Sequence, residues 1–566
     1  MTKKKNLFTF FKKVKKQNED DYIFDVDVEK GLYVGAGVNL TPEKNVDHPV
    51  EPVYIDWGDL AGHFVVYGTT RVGKTRLMVS LIRQCILKGM DIMVVEPKGS
   101  EGQETIAWIL EFAEEAKRMR DFNYISPMFK DLSSSFNPLF GMSNEEIASL
   151  VSTLIPAKED FYKTMGYTIT FAVLIGLQFI ERAEGYDNVS KAITAEFKRI
   201  YSGNANIIDE ELSISNPDLA ERASEPKQYL SLQEMDPPYR SLVTFLDIAN
   251  YSTKDGLNLI LDIVKKITPD QYDTDNPLEI DKLNKLKQEA VSSLTEQAEK
   301  DDNYFGKVGS SFNNTIKQLS TGDVGEILCS TKINPVLDGF KNKNHGQILI
   351  IQPYPLIYKT TSDAFVRVFF AMFTSAFGNI GAAGRKFPRE IALFIDEGGA
   401  ILYPGIEHLF NKAGGLGLRI MIFSQSFADY KAELGEDLAA IVNDNTNTKV
   451  YMLMNDVSSR ETVAKSFGTV MQQSASYQGS KIDMRVGAGE TEKPLLTSAH
   501  VGKMQKQEFL LQNKKGYFLC VAPNQYDPGI WVETPLTDIE GLYDDFASKY
   551  VTMIEEEKEN KEFGEL

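Results

Sequence analysis

The residues Gly68-Thr69-Thr70-Arg71-Val72-Gly73-Lys74-Thr75 satisfy the spacing G-x-x-x-x-G-K-[ST]. Glycines at these positions let successive backbone N–H groups curl around phosphate oxygens. The lysine reaches the β- and γ-phosphates, and the threonine hydroxyl ligates Mg²⁺. A helix opening here would turn its positive end toward the anion. The expected ligands are therefore ATP and Mg²⁺, cradled by Gly68 through Arg76. A phosphate-gripping loop needs a second, acidic element, and Ile391-Ala-Leu-Phe-Ile-Asp396-Glu397 supplies it. Asp396 would hold Mg²⁺ through water, and Glu397 would orient and deprotonate the attacking water. A further apolar run, RIMIFSQS, ends in Gln425, a polar residue suited to sensing the γ-phosphate. The glycine-rich loop before it, NKAGGLGLR, carries Lys412 and Arg419. Either is a candidate cation for the nucleotide of a neighbouring subunit.

These residues need strands and helices to hold them. Short, continuous apolar runs recur along the chain: HFVVYG, DIMVVEP, QILIIQP, IALFIDE, RIMIFSQ, KVYMLM and YFLCVAP. Continuous runs fit strands covered on both faces. Helical patterns separate them. Leu77, Leu81 and Cys85 mark one helix face after the first run, and Gly89 is a natural stop. This is the pattern of a doubly wound α/β sheet. From about Gly141 to Val336 no comparable run occurs. A helix is expected from Ser143, where Ser143 and Glu146 form a capping box ahead of Ile147, Leu150, Val151 and Leu154. The fold class expected is α/β: a nucleotide-binding domain over 31–140 and 337–540, with a mainly helical domain over 141–336 inserted into it.

Composition restricts the partners. The chain has 566 residues, is 42% hydrophobic and 25% charged, and carries a net charge of −19, so DNA contact would have to be local. Three scattered cysteines and five histidines show no metal spacing and no disulfide framework. Gly166–Ile180 is short and diluted by Thr, Gly and Gln. It and FVRVFFAMFTSAF read as buried helices, so no transmembrane helix is expected. The N-terminal segment 1–30 opens with seven lysines interleaved with Phe8, Phe10 and Phe11. It reads as a basic tail or as an amphipathic contact for an anionic membrane surface or an acidic partner. The C-terminal segment 541–566 is acidic, a solubilising tail or a docking tail for a basic partner.

Taken in order, GTTRVGKTR, VVEPKG, SFNPLF, IALFIDE, NKAGGLGLRIMIFSQS and EKPLLT resemble the type IV coupling proteins of the TraD/TraG type. The resemblance implies a RecA-like P-loop ATPase of the FtsK/HerA class with an inserted all-α domain. It implies a homo-hexameric ring at a type IV secretion channel, cytoplasmic and peripheral to the bacterial inner membrane. Such a ring recruits a relaxase–DNA complex and uses ATP to pass single-stranded DNA and protein. By position, Lys74 and Thr75 are the phosphate and Mg²⁺ groups, Asp396 and Glu397 the metal and water groups, and Gln425 the coupling glutamine.

The sequence departs from the family in three places. No transmembrane helix is expected, whereas many members open with such helices. The usual Asp-Pro-Lys-Gly is Glu96-Pro97-Lys98-Gly99. Gly414 stands where many relatives place an arginine, which leaves any trans-acting finger unassigned. Two other readings fit the motor residues: another FtsK/HerA-type DNA translocase or packaging motor, or an ATP-gated docking receptor without motor activity.

Overall fold

The computed structural model describes residues 26–40, 49–155, 160–183, 242–403, 405–478, 485–523, 530–532 and 551–553. The basic segment 1–25, residues 184–241 of the helical stretch, and the acidic tail apart from 551–553 lie outside the described residues. The chain divides into two compact units, 1–88 with 420–526, and 89–419 with 527–566.

The strands are β1 (Leu32–Asn39), β2 (Glu51–Ile55), β3 (Phe64–Tyr67), β4 (Asp91–Val95), β5 (Phe122–Ile125), β6 (Ile348–Ile351), β7 (Ile391–Ile395), β8 (Leu418–Ser424), β9 (Thr448–Tyr451), β10 (Thr469–Gln478), β11 (Arg485–Pro494), β12 (Glu508–Asn513) and β13 (Gly516–Val521). Each of the seven apolar runs in the sequence forms one of them.

In the first unit the strand order is β2-β1-β13-β12-β9-β3-β8. β3 runs parallel to both β8 and β9, and all four of its residues are buried. β12, β13, β1 and β2 continue the sheet antiparallel. This antiparallel half goes beyond the doubly wound pattern. The segment LYVGAGVN is interrupted by glycines, and Gly35, at φ +150°, is required where the Val521 carbonyl crosses it closely. The helix Lys74–Leu87 packs on β1. Gln84 locks the two together, donating Nε2 to the Tyr33 carbonyl at 2.9 Å and accepting the Tyr33 N–H at 2.8 Å. Gly89, at φ +82°, follows the helix, as expected. β10 and β11 form a separate antiparallel hairpin.

In the second unit the order is β7-β4-β6-β5, all parallel. Between β5 and β6 the described regular elements are all helices. The Asn144–Leu154 helix carries the expected capping box: Glu146 N–H donates to Ser143 Oγ and Ser143 N–H to Glu146 Oε2. Ala172, Val173, Ile175 and Phe179 of the Asp160–Ala183 helix pack with Leu257, Ile260, Val264 and Leu294. Fully burying such side chains is worth about 1.5–3 kcal/mol each. The SFNPLF segment ties separate parts of this helical stretch together. Asn137 is fully buried, and its Nδ2 donates to the carbonyls of Val243 (2.9 Å) and Lys332 (3.2 Å).

Gly166–Ile180, expected to be too short to span a bilayer, is part of a longer helix. That helix runs over 24 residues, Asp160–Ala183. Phe161–Ala183 and Thr360–Ala382 are both long and apolar enough to cross a membrane, with 56% and 61% of the respective apolar windows buried inside the protein. What makes the first a core helix is the packing just described. In the second, Phe369 and Phe373 stack edge-on against Phe136 and Phe340.

Candidate nucleotide site

The first unit supplies the phosphate loop. β3 ends at Tyr67, opposite Ser424 at the end of β8. Gly68 N–H donates to the Ser424 carbonyl at 3.1 Å, and Thr69 N–H to the Leu453 carbonyl at 2.9 Å, so the loop leaves the sheet tethered to both neighbouring strands' exits. Arg71 (φ 62°) and Gly73 (φ 104°) are left-handed, which bends the chain back on itself before the helix begins. Gly68 has no room for a side chain, because a Cβ there would lie 2.8 Å from Met452 Cβ.

The Lys74–Leu87 helix starts at the lysine, and its first bond onto Gly73 comes from Leu77 N–H at 3.1 Å. The N–H groups of the first turn have no intrahelical acceptor, and the helix dipole adds partial positive charge there. Lys74 is 5% exposed, and its ammonium donates to the carbonyls of Gly68 (2.7 Å) and Thr69 (3.0 Å). The cation is thus held over the loop. Thr75 and Arg76 are half-buried in the first turn, and Thr70 and Arg71 are exposed. Gln425 is exposed at the end of β8, level with Gly68 by the Tyr67–Ser424 register. Ser426 next to it caps the Phe427–Leu434 helix through a reciprocal bond with Asp429.

Three residues that brace the loop carried no motif in the sequence. Gln507 N–H donates to the Val72 carbonyl at 2.9 Å, and Ala522 N–H to the Gln507 carbonyl at 2.9 Å. Asn455 Nδ2 donates to Thr69 Oγ1 at 3.2 Å.

The second unit supplies the carboxylates. β4 lies between β7 and β6, and Val95 faces Ile395 on one side and Ile351 on the other. Glu96 and Asp396 therefore leave adjacent strands at one level. Asp396 N–H bonds the Val95 carbonyl at 3.0 Å, and Glu96 N–H the Ile351 carbonyl at 2.9 Å. Both acids are fully buried. Burial, and then the Asp396 charge, push the Glu96 carboxyl well above the usual range. Lys98 joins the group. Its N–H donates to Glu96 Oε1 at 2.8 Å, and its ammonium lies 3.0 Å from Asp396 Oδ2 and 3.1 Å from Glu397 Oε1. Burial alone would lower the Lys98 pKa, but the Asp396 and Glu397 charges outweigh it and raise it. Glu397 is left-handed (φ 47°), and its N–H donates to Asp396 Oδ1 at 2.9 Å.

This pair accepts a cation, as the Lys98 contact demonstrates. Among the described residues no cluster of three or more His, Cys, Asp or Glu could hold a metal ion. Phosphate oxygens and water would have to complete the shell of Mg²⁺ here, which is its habit.

Arg419 does not act as an exposed cation. It lies at the start of β8, buried, donating to the Gly414 carbonyl at 2.6 Å and ion-paired with Glu390. It stands near the start of β8, whereas Gln425 follows the strand's last residue, Ser424. Lys412 is exposed near the end of the Glu407–Lys412 helix.

Residues 390–506 match the family described as the TraM recognition site of TraD and TraG. Over those residues the chain is TraD/TraG-like. No curated protein matches the chain in sequence. Among solved structures, the bacterial conjugative coupling protein TrwBdeltaN70, in a trigonal form with sulphate, superposes with a TM-score of 0.50 at 12% identity, over 90% of this chain and 96% of that one. The plasmid coupling protein TrwB in complex with ADP and Mg²⁺ gives 0.46 at 13% identity, over 88% and 95%. VirB4 of Thermoanaerobacter pseudethanolicus gives 0.43 at 10% identity, over 89% and 98%. The first of these likenesses shows the fold: a RecA-like α/β domain accompanied by an all-α domain.

Proposed function

We propose that this chain is the ATP-hydrolysing coupling protein of a conjugative type IV system. The observation that carries the reading is the Lys74 loop, an anion cradle built at the head of a 14-residue helix with its ammonium already held over the loop. In this reading the N–H groups of Gly68 through Arg76 bind the phosphates, and Lys74 neutralises the outer ones. The Thr75 hydroxyl and Asp396, the latter through water, hold Mg²⁺, which supplies charge neutralisation at the phosphates when bound. Glu397 accepts the proton of the attacking water, and Gln425 reads the γ-phosphate from the end of β8.

The likeness of 390–506 to a TraD/TraG segment supports conjugation as the setting. The partners are then a relaxase–DNA complex, single-stranded DNA, the secretion channel subunits and further copies of this chain in a hexamer. With a net charge of −19, single-stranded DNA would be held in a local basic channel rather than over the whole surface. The basic segment before Asp20, with Phe8, Phe10 and Phe11, would contact the inner membrane surface from the cytoplasm. The domains proposed remain 31–140 with 337–540 for the motor and 141–336 for the helical insertion.

The test is DNA transfer between cells in which Lys74→Ala replaces the native allele. The reading predicts loss of transfer with the relaxase still captured by the variant. Wild-type transfer frequency by Lys74→Ala would reduce the protein to an ATP-independent docking receptor.

A further inference from the structure

Lys98 has no part in the reaction as assigned so far, yet its ammonium contacts both acids at β7's exit. We propose that Lys98 is a positioning residue, a latch that holds Asp396 and Glu397 together and yields them on binding of a divalent cation with nucleotide. The proposal rests on the nucleotide-hydrolysing reading above.

One ammonium lies 3.0 Å from Asp396 Oδ2 and 3.1 Å from Glu397 Oε1, which fixes both carboxylates on a single positive charge. While Glu397 is held there, its Oε1 is engaged by the Lys98 ammonium. Burial of the pair is asymmetric. The Asp396 side chain is wholly inaccessible, whereas that of Lys98 is 27% exposed. A buried carboxylate cannot be left without a cation. A lysine on a flexible four-carbon stem at the solvent edge can swing into water and be rehydrated. Lys98 is therefore the member of the pair that leaves.

Two carboxylates carry two negative charges, and one ammonium offsets one of them. A doubly charged cation matches the pair better, which gives the exchange a direction. The backbone stays in place throughout, because the Lys98 N–H is bonded to Glu96 Oε1 at 2.8 Å at the end of β4. The latch therefore needs only side-chain torsions.

The consequence is that Glu397 becomes available as a base only when metal and nucleotide are both present. The experiment is Mn²⁺ binding to the full chain in the presence of ADP, read by electron paramagnetic resonance, alongside ADP binding in EDTA. Wild type is compared with Lys98→Met and Lys98→Gln. The glutamine keeps hydrogen bonding to both carboxylates without the charge, so it serves if the methionine variant fails to fold. The latch predicts that the neutral variants bind Mn²⁺ about tenfold more tightly, the scale of losing one close charge pair as a competitor. Their metal-free ADP affinity should stay at the wild-type value. Mn²⁺ affinity equal to or weaker than that of wild type would make Lys98 a structural brace and overturn the proposal. Wild type binding neither Mn²⁺ nor ADP would overturn the nucleotide reading itself, and the latch with it.

Discussion

Tyr67 faces Ser424 across the parallel pair β3 and β8, and the residues that follow them, Gly68 and Gln425, leave the sheet at the same level. The bond from Gly68 N–H to the Ser424 carbonyl fixes this relationship at 3.1 Å. A loop that grips phosphate and a glutamine that could read it are thus held by one strand register. Gln425 is exposed, so Gln425→Ala should change stability by no more than about 0.5 kcal/mol. ATP binding should persist while the hydrolysis rate falls at least about tenfold. Single-turnover kinetics with a fluorescent nucleotide separate the two, and an unchanged rate would remove Gln425 from the mechanism.

Gly73 sits at φ 104°, and a Cβ there would lie 3.1 Å from Gln507 Cγ. Gly73→Ala should therefore both strain the loop, by about 1–3 kcal/mol, and push it off its Gln507 brace. Nucleotide binding should weaken about tenfold or more, with a lowered Tm. Calorimetric titration with ADP and thermal melting would check both effects.

Much of this arrangement was legible in the sequence. β3, β4, β6, β7, β8, β9 and β13 announced themselves as continuous apolar runs because strands buried on both faces have no polar side to alternate with. The Ser143 capping box and the Gly89 stop are local chemistry and came through unchanged. β1 did not come through, because its glycines answer to the close approach of β13, a contact nearly 500 residues away in the chain. Lys98 was visible only as part of Glu-Pro-Lys-Gly. Its bond to Asp396 spans 298 residues and exists only once β4 and β7 are neighbours. Arg419 illustrates the converse: a cation in a glycine-rich loop by sequence, but a buried ion pair with Glu390 once β8 forms.

Asn137 of the SFNPLF segment is a tie between distant parts of the second unit. Asn137→Ala leaves the carbonyls of Val243 and Lys332 and the Leu139 N–H without this partner. Each hydrogen bond so lost costs about 0.5–1.5 kcal/mol. Hydrogen exchange should show faster opening around Val243 and Lys332, with the Lys74–Leu87 helix protected as in wild type. Uniform protection across both regions would count against the tie.

Asp91 makes stability depend on pH in an unusual direction. Burial pushes its carboxyl from 3.8 up to about 6, against the opposing pull of Arg389, the Gln347 N–H and Arg118. The folded protein therefore keeps a proton that the unfolded chain has released. This contribution is fully present below the unfolded value and is lost as pH rises through about 6. Relative to wild type, Asp91→Asn should gain stability between pH 4 and 7, by up to about 3 kcal/mol. Urea unfolding of both proteins across that range would test it, and parallel profiles would contradict it.

The central claim is that Glu397 activates water for hydrolysis of ATP held by the Lys74 loop. Steady-state ATP hydrolysis by wild type and Glu397→Gln, with and without single-stranded DNA, tests it most directly. The account predicts turnover that rises with DNA and falls by at least about a hundredfold in the variant, with ATP binding retained. Equal hydrolysis by both proteins would contradict it.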